Sequence, residues 1–253
     1  VDLSTFMDDE DDEDSASSDT QDPNLPPGAR PGDGGDGAKT LPVTGEEGAG
    51  EDGNGVGDLL FDPDNYDFLQ PGTAKPDNID NTFVQGDGAY RLGDGDDTLL
   101  AGYGNDYAAG GDGDDTLVMR PGNDVALGGK GDDVIDGGLG DDLLYGGKGD
   151  DAITGSKGDD GLWGGDGADE LTGSHGEDVL VGGAGDDVLY SHLQGDAGKP
   201  GDTDVLDGGD GNDALYLGAG DTGTGGAGED LFSLDLDEPD DGPVTITDYD
   251  AKE

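Results

Sequence analysis

The sequence predicts an all-β chain wound into a solenoid of nine-residue units. Residues 92–190 divide into 11 consecutive units of nine, each with Gly at the fourth place and Asp at the sixth. The eighth place of every unit is apolar. Only 30% of all residues are hydrophobic and 6% aromatic, which is too little for the layered core of an ordinary enzyme fold of this length.

The charge balance narrows the possible partners. The 253 residues include 64 Asp and Glu against 10 Lys and Arg, a formal net charge of −54. This self-repulsion opposes a compact state unless cations are bound. For the same reason we expect no nucleic-acid partner and no direct binding to anionic membranes. The sequence contains no Cys, which excludes disulfides, thiolate catalysis and Cys-based zinc sites.

Residues 1–81 differ in composition from the units that follow. They open with an acidic run at residues 8–14 and continue through Pro- and Gly-rich stretches without an apolar period. This composition predicts a disordered acidic linker. One apolar segment, residues 59–69, interrupts it. Two interpretations of this segment stay open, a transient local cluster or a segment that docks onto the repeat body.

The units follow the pattern Gly-Gly-x-Gly-x-Asp-x-(large apolar)-x, for example in residues 128–136 and 182–190. With this motif recurring in register, the stretch resembles the RTX family of hemolysin-type calcium-binding repeats. The resemblance implies a right-handed parallel β-roll, which we place at residues 82–233. It also implies export from a Gram-negative bacterium through a type I secretion channel, so we expect the protein to be secreted or on the outer cell surface.

The spacing itself predicts how the units coil. Glycines suit the first six places to turns, and the last three places suit a short strand. Two units would then make one coil of 18 residues, with strands going alternately to two parallel sheets and the eighth-place side chains between them. Each turn would lie beside the turn two units later, so that nine gaps form among the 11 units.

Each gap is predicted to present two sixth-place carboxylates and several backbone carbonyls. Such an irregular, all-oxygen site favours Ca²⁺ over Mg²⁺ or Zn²⁺, and we expect about nine or more ions. The predicted carboxylate ligands are Asp97, Asp106, Asp115, Asp124, Asp133, Asp142, Asp151, Asp160, Asp169, Asp178, Asp187, Asp204, Asp213 and Asp230. The glycines placed in the same site are Gly95, Gly104, Gly113, Gly131, Gly140, Gly149, Gly158, Gly167, Gly176 and Gly185.

Other positions in the units receive weaker predictions. The acidic fifth places are interpreted as outward charges that aid solubility. The register is irregular at residues 191–207 and 217–224, and in the second of these Thr222 stands where the ligand Asp is expected. Without metal, one core residue in nine cannot offset the conformational entropy of folding, so we expect a calcium-driven transition from disorder to the roll.

The even-numbered units carry uncharged, mostly apolar outward residues at their seventh and ninth places. This face is interpreted either as ordinary strand composition or as a docking surface for residues 59–69, a neighbouring domain or a second copy of the chain. Tyr145 and Trp163 should be adjacent on it, since they are 18 residues apart. The face comprises Tyr107, Val125, Leu127, Leu143, Tyr145, Trp163, Val179 and Val181.

Residues 234–253 alternate in polarity around a predicted turn at 238–242, which resembles the capping hairpin of many RTX rolls. The chain opens with Val1 and stops within this strand-like stretch, so we expect a fragment or a processed product, with a truncated cap. No catalytic spacing is present, and we expect no enzyme activity. Two alternatives stay open: an accessory module of a larger secreted lipase- or protease-like enzyme, and a building block of a surface layer or adhesive.

Overall fold

The computed structural model describes residues 68–192, 202–235 and 242–248. These residues form strands and turns, and none of them lies in a helix, which confirms the all-β prediction. Accordingly, no helix suited to crossing a membrane occurs in the described ranges. Most of the predicted acidic linker, residues 1–67, lies outside them.

The described residues form 19 strands in two parallel sheets. The strands are β1 (Phe68–Pro71), β2 (Asn78–Asp80), β3 (Gly88–Asp94), β4 (Thr98–Leu100), β5 (Tyr107–Asp112), β6 (Thr116–Val118), β7 (Val125–Lys130), β8 (Val134–Leu139), β9 (Leu143–Lys148), β10 (Ala152–Lys157), β11 (Gly161–Asp166), β12 (Glu170–His175), β13 (Val179–Ala184), β14 (Val188–Tyr190), β15 (Val205–Asp210), β16 (Ala214–Leu217), β17 (Thr222–Ala227), β18 (Leu231–Leu234) and β19 (Thr245–Ile246). The odd-numbered strands form a ten-stranded sheet and the even-numbered strands a nine-stranded sheet, each in sequence order. Consecutive strands thus form the coils of a solenoid, as predicted.

The interior between the sheets is filled by eighth-place side chains. In the nine-stranded sheet Leu117 pairs with Ile135 and Ile135 with Ile153, at intervals of 18 residues. In the ten-stranded sheet Leu144 pairs with Leu162 in the same way. All five belong to one buried cluster. The predicted coil of two units is therefore confirmed, and the seventh and ninth places face outward because side chains alternate along a strand.

Many strands are longer than the three residues predicted. Strands β7 and β9 each have six, because the chain stays extended through the first three places of the next unit. The second-place glycines Gly129 and Gly147 have φ values of 124° and 121°, which a residue with a Cβ rarely adopts. The prediction that all of the first six places are turns is therefore wrong for the first three.

The solenoid begins before residue 82, where the sequence placed the boundary. Strand β1 pairs with β3, and β2 pairs with β4, so residues 68–80 form a first coil. Ile79 is part of the buried interior cluster. This coil was missed because residues 68–80 contain no glycine-rich unit.

The C-terminal strands do not form the predicted capping hairpin. Strand β18 pairs in parallel with β16, and β19 pairs in parallel with β17, so the two strands lie in different sheets and continue the coil. Phe232 and Val244 pack against the interior cluster at this end. The predicted strands are present, but the prediction that they pair with each other is wrong. Most of the predicted turn, residues 238–241, lies outside the described part.

Candidate metal centre

The sixth-place aspartates line both edges of the solenoid, in the turns that join the two sheets. The first edge, which follows the strands of the ten-stranded sheet, carries Asp97, Asp115, Asp133, Asp151, Asp169, Asp187, Asp213 and Asp230. The second edge carries Asp106, Asp124, Asp142, Asp160, Asp178, Asp204 and Asp221. All of them except Asp230 are buried. The fold thus collects carboxylates from the whole array into two rows.

Each row is a ladder of hydrogen bonds to Oδ1. The backbone N–H of Asp133 donates to Oδ1 of Asp151 at 2.7 Å, and the N–H of Asp151 donates to Oδ1 of Asp169 at 2.8 Å. The same bond recurs along both edges at 2.6–3.1 Å. One oxygen of each carboxylate is therefore fixed by a neighbouring coil.

The other carboxylate oxygen, Oδ2, is also buried. In nine of the aspartates this atom has no hydrogen-bond partner within the part of the chain that the structure describes. These are Asp97, Asp106, Asp115, Asp124, Asp133, Asp151, Asp169, Asp187 and Asp213. A buried charged oxygen without a partner is costly, so each of these atoms calls for a cation or a proton.

The Oδ2 atoms lie against first-place glycines. A Cβ added to Gly146 would overlap Oδ2 of Asp151 and lie 2.8 Å from the carbonyl oxygen of Gly164, one coil further on. We call this space, between the carboxylate of one unit and the first-place carbonyl of the next coil, the cradle. It recurs at seven glycines of the described ranges: Gly110, Gly128, Gly137, Gly146, Gly164, Gly182 and Gly208.

The polar atoms found at the cradle are all oxygens, from a carboxylate and a backbone carbonyl. Among the residues of known placement, no three Asp, Glu or His side chains converge on one point. Backbone carbonyls must therefore complete any set of metal ligands. A mixed carboxylate and carbonyl set of irregular geometry suits Ca²⁺, whereas Mg²⁺ requires a regular octahedron and Zn²⁺ prefers His or Cys. The residues present thus fit calcium, with Oδ2 and the first-place carbonyls as the groups that would hold it.

Burial sets the electrostatics of the ladders. Desolvation raises the pKa of Asp115 and of Asp151 to about 7 and that of Asp133 to about 8. At Asp133 the negative charges of Asp151 and Asp115 add to this rise in pKa. The buried carboxylates therefore resist ionisation together, and a divalent cation between them would stabilise their charged form.

Comparison with known families decides what these ladders are. The chain matches the family model of the RTX calcium-binding nonapeptide repeat (4 copies), over residues 92–126, 120–153, 127–162, 154–189, 163–198 and 201–223. The matched residues make up just over half of the chain. The chain belongs to the RTX family. Its repeat domain is accordingly a structural, calcium-binding fold, and a comparison with curated proteins finds no significant match.

The fourth-place glycines of this RTX chain have a clear backbone role. All ten that the sequence placed in the metal site have positive φ, for example 123° at Gly131 and 120° at Gly149. The Cα of Gly149 packs against the carbonyl of Gly131 one coil earlier, where a Cβ would not fit. That their carbonyls bind calcium stays a prediction. The first-place carbonyls, which lie beside Oδ2, were not named from the sequence, although first-place Gly is nearly as regular.

The fifth-place residues form a second ladder, which the sequence interpretation missed. The N–H of Asp150 donates to Oδ1 of Asp132 at 2.9 Å, and the N–H of Ala168 donates to Oδ1 of Asp150 at 2.9 Å. The N–H of Asp141 donates to Oδ1 of Asn123 at 3.1 Å. These side chains are exposed charges, as predicted, but they also tie one coil to the next. Asn at this place was the available signal, because an amide oxygen accepts the same bond.

The irregular unit at residues 217–224 keeps its ladder aspartate. Oδ1 of Asp221 accepts the N–H of Asp204 at 2.9 Å, across 17 residues in place of 18. The expectation that Thr222 occupies this position is therefore wrong, because the unit is shortened before the Asp and not at it. Its Oδ2 accepts the N–H of Gly218 at 2.6 Å, so this coil differs from those with an unpartnered Oδ2.

In three of the nine gaps predicted from the sequence, the first place is not glycine. Their first places are Leu92, Ala101 and Met119, whose side chains are fully buried in the interior cluster. A Cβ at the first-place glycines would overlap Oδ2, so we expect a first-place side chain to prevent calcium binding in these three gaps. The number of bound ions stays a prediction, and later gaps such as that beside Gly208 contribute to it.

Met119 offers a direct test of this interpretation. We expect Met119→Gly to bind one more calcium ion per chain, because it opens a cradle beside Asp124, whose Oδ2 is buried. Met119→Ala is the matched control, since it removes a similar core volume but keeps the Cβ. Isothermal titration calorimetry counts the ions of both variants. An equal count for the two variants would show that the first-place Cβ does not exclude the ion.

Proposed function

We propose that this RTX chain binds calcium ions along both edges of the roll and that this binding drives its folding. The observation that carries the proposal is the row of buried Oδ2 atoms, nine of them without a hydrogen-bond partner among the described residues. Six of these atoms lie in a cradle, beside a backbone carbonyl of the next coil: those of Asp115, Asp133, Asp151, Asp169, Asp187 and Asp213. A roll without metal would have to bury these oxygens uncompensated or protonated.

The small interior supports the coupling of folding to metal binding. Each nine-residue unit adds one eighth-place side chain to the interior cluster, while ordering the backbone costs about 1–2 kcal/mol per residue. A net charge of −54 adds further repulsion. The binding free energy of calcium would then contribute directly to the free energy of folding.

The same coupling supports a location outside the cell. Calcium sites of extracellular modules have dissociation constants of roughly 0.1–1 mM and would stay empty in the cytosol. We propose that the chain leaves a Gram-negative bacterium unfolded, through a type I secretion channel, and folds on reaching external calcium. In this role the chain acts as a structural calcium-binding roll and not as an enzyme.

Calcium titration followed by circular dichroism tests the proposal. We expect the chain to lack β signal in EDTA and to gain it with a midpoint of roughly 0.1–1 mM Ca²⁺. Mg²⁺ at the same concentrations is the control, and we expect it to leave the spectrum unchanged because the cradle is irregular. The same β signal in EDTA as in excess calcium would contradict the proposal.

A further inference from the structure

The outward side of the ten-stranded sheet is buried at one end. Six outward side chains there form a cluster separate from the interior, which we call the covered face: Ala89, Tyr107, Ala109, Val125, Leu127 and Tyr145. Tyr107 and Leu127 are 0% exposed, and Tyr145 is 6% exposed. Outward side chains on an uncovered sheet retain contact with water, so this degree of burial requires a second layer.

Most outward side chains of the nine-stranded sheet stay partly exposed, and the one that is buried, Thr172 at 7% exposure, is a small side chain paired with Tyr190. Val134, at a seventh place of the nine-stranded sheet, is 50% exposed. On the ten-stranded sheet itself, burial decreases along the solenoid, and Trp163, Val179 and Val181 are only half-buried. The second layer therefore lies over strands β3 to β9 and ends near β11.

Tyr145 lies at the edge of the covered face, next to Trp163, and its side chain is shielded from water. Its ring stacks on that of Trp163, with centroids 4.6 Å apart and an interplanar angle of 10°, as their 18-residue spacing predicted. Burial raises the pKa of the Tyr145 hydroxyl well above its ordinary value. The hydroxyl is thus shielded from water, although the side chain points away from the interior of the roll.

Among the described residues, every hydrophobic side chain that packs in the covered face belongs to the ten-stranded sheet itself. The cluster therefore contains no described hydrophobic residue from a second layer. Of the segments outside the described ranges, residues 193–201, 236–241 and 249–253 adjoin strands from β14 onward. Burial decreases toward those strands, which favours a covering segment from the β1 end, where residues 1–67 precede the sheet in the sequence.

We infer that residues 58–67 lie across the covered face. They lead directly into β1, the edge strand of this sheet, and they contain Leu59, Leu60, Phe61 and Tyr66. From β1 to β9 is four strand spacings, about 19 Å. Ten extended residues reach up to about 33 Å, which is enough to cross the face. Residues 1–57 contain no comparable apolar run.

This contact gives the solenoid an N-terminal cap and hides its apolar face. A repeat array needs such protection at its ends, and an exposed patch of this size would promote association. The inference is independent of the calcium ladders, because it concerns the outer face and not the turns. Calcium-induced circular dichroism, measured on the same variants, keeps the two proposals distinguishable.

Cysteine labelling of the full chain tests the inference, since the sequence contains no native Cys. With calcium bound, we expect Leu127→Cys to react with a maleimide at least about tenfold more slowly than Val134→Cys, because a buried thiol reacts only on local opening. Adding Leu60→Asp and Phe61→Asp should raise the rate at position 127 by about tenfold, which corresponds to about 1.4 kcal/mol of lost protection. Leu41→Asp with Val43→Asp is the control pair and should leave it unchanged.

Two results would overturn the inference. Equal labelling rates at positions 127 and 134 would show that the face is open. Persistent protection in the Leu60→Asp, Phe61→Asp variant would assign the layer to another occupant, and protection that falls on dilution would identify that occupant as a second copy of the chain. If Leu127→Cys fails to develop the calcium-induced spectrum, Ala109→Cys replaces it, since Ala109 is smaller and 5% exposed.

Discussion

Substituting Val for Gly146 is expected to raise the calcium midpoint of folding by about twofold, because the lost free energy is shared among all the ions that bind on folding, about nine by the sequence prediction. The new Cβ would overlap Oδ2 of Asp151 and lie 2.8 Å from the backbone carbonyl of Gly164. Oδ1 of Asp151 is held by the N–H of Asp133, so the carboxylate cannot turn away without breaking the ladder. Overpacking and the loss of a cation from a buried carboxylate together cost about 3 kcal/mol or more.

The control for this substitution is Thr154→Val. It places the same side chain at an outward, half-buried ninth place of the neighbouring strand β10, where a β-branched residue is suitable and a change of no more than about 0.5 kcal/mol is expected. Titrations with calcium, followed by circular dichroism, give both midpoints. A midpoint for Gly146→Val equal to that of Thr154→Val would refute the assignment of the cradle.

Most of the fold could be predicted from the sequence because the nine-residue repeat is regular. A period of nine, with an apolar eighth place, requires the strands to alternate between two sheets, and the register of Leu144 with Leu162 follows from it. The N-terminal coil could not be predicted in this way, because Ile79 enters the interior from a segment without the repeat. The parallel course of β18 and β19 was missed for a similar reason, since alternating polarity identifies strands but not their partners.

The site was predicted less completely than the fold. Sixth-place aspartates were identified because every unit of residues 92–190 has Asp at this place. Which carboxylate oxygen accepts the backbone hydrogen bond and which faces the cradle depends on backbone directions that the composition does not specify. Asp221 was missed because counting from the preceding unit assumed a fixed length, whereas the hydrogen bond from Asp204 tolerates a deletion earlier in the turn. The expectation that Met119 keeps calcium out of its gap likewise needs the structure, because only the structure shows that the first-place side chain of Met119 faces the interior.

The adjacent residues Asp150 and Asp151 allow the two ladders to be separated by one chemical change. We expect Asp151→Asn to bind one calcium ion fewer per chain and to lose about 2–3 kcal/mol of stability in calcium, because an amide cannot replace the buried Oδ2 as a charged ligand. The Oδ1 acceptor for Asp133 is retained in this variant. The loss therefore measures the metal contact and not the hydrogen bond.

Asp150→Asn is the matched control, with the same change of charge one residue earlier. Its Oδ1 would still accept the N–H of Ala168, as Oδ1 of Asn123 already accepts that of Asp141. We expect an unchanged ion count and a stability within about 0.5 kcal/mol of the parent chain. Calorimetric ion counts and calcium-dependent unfolding compare the two variants. Equal losses for both would mean that calcium responds to the total charge of the edge, and the assignment of Oδ2 as the ligand atom would be wrong.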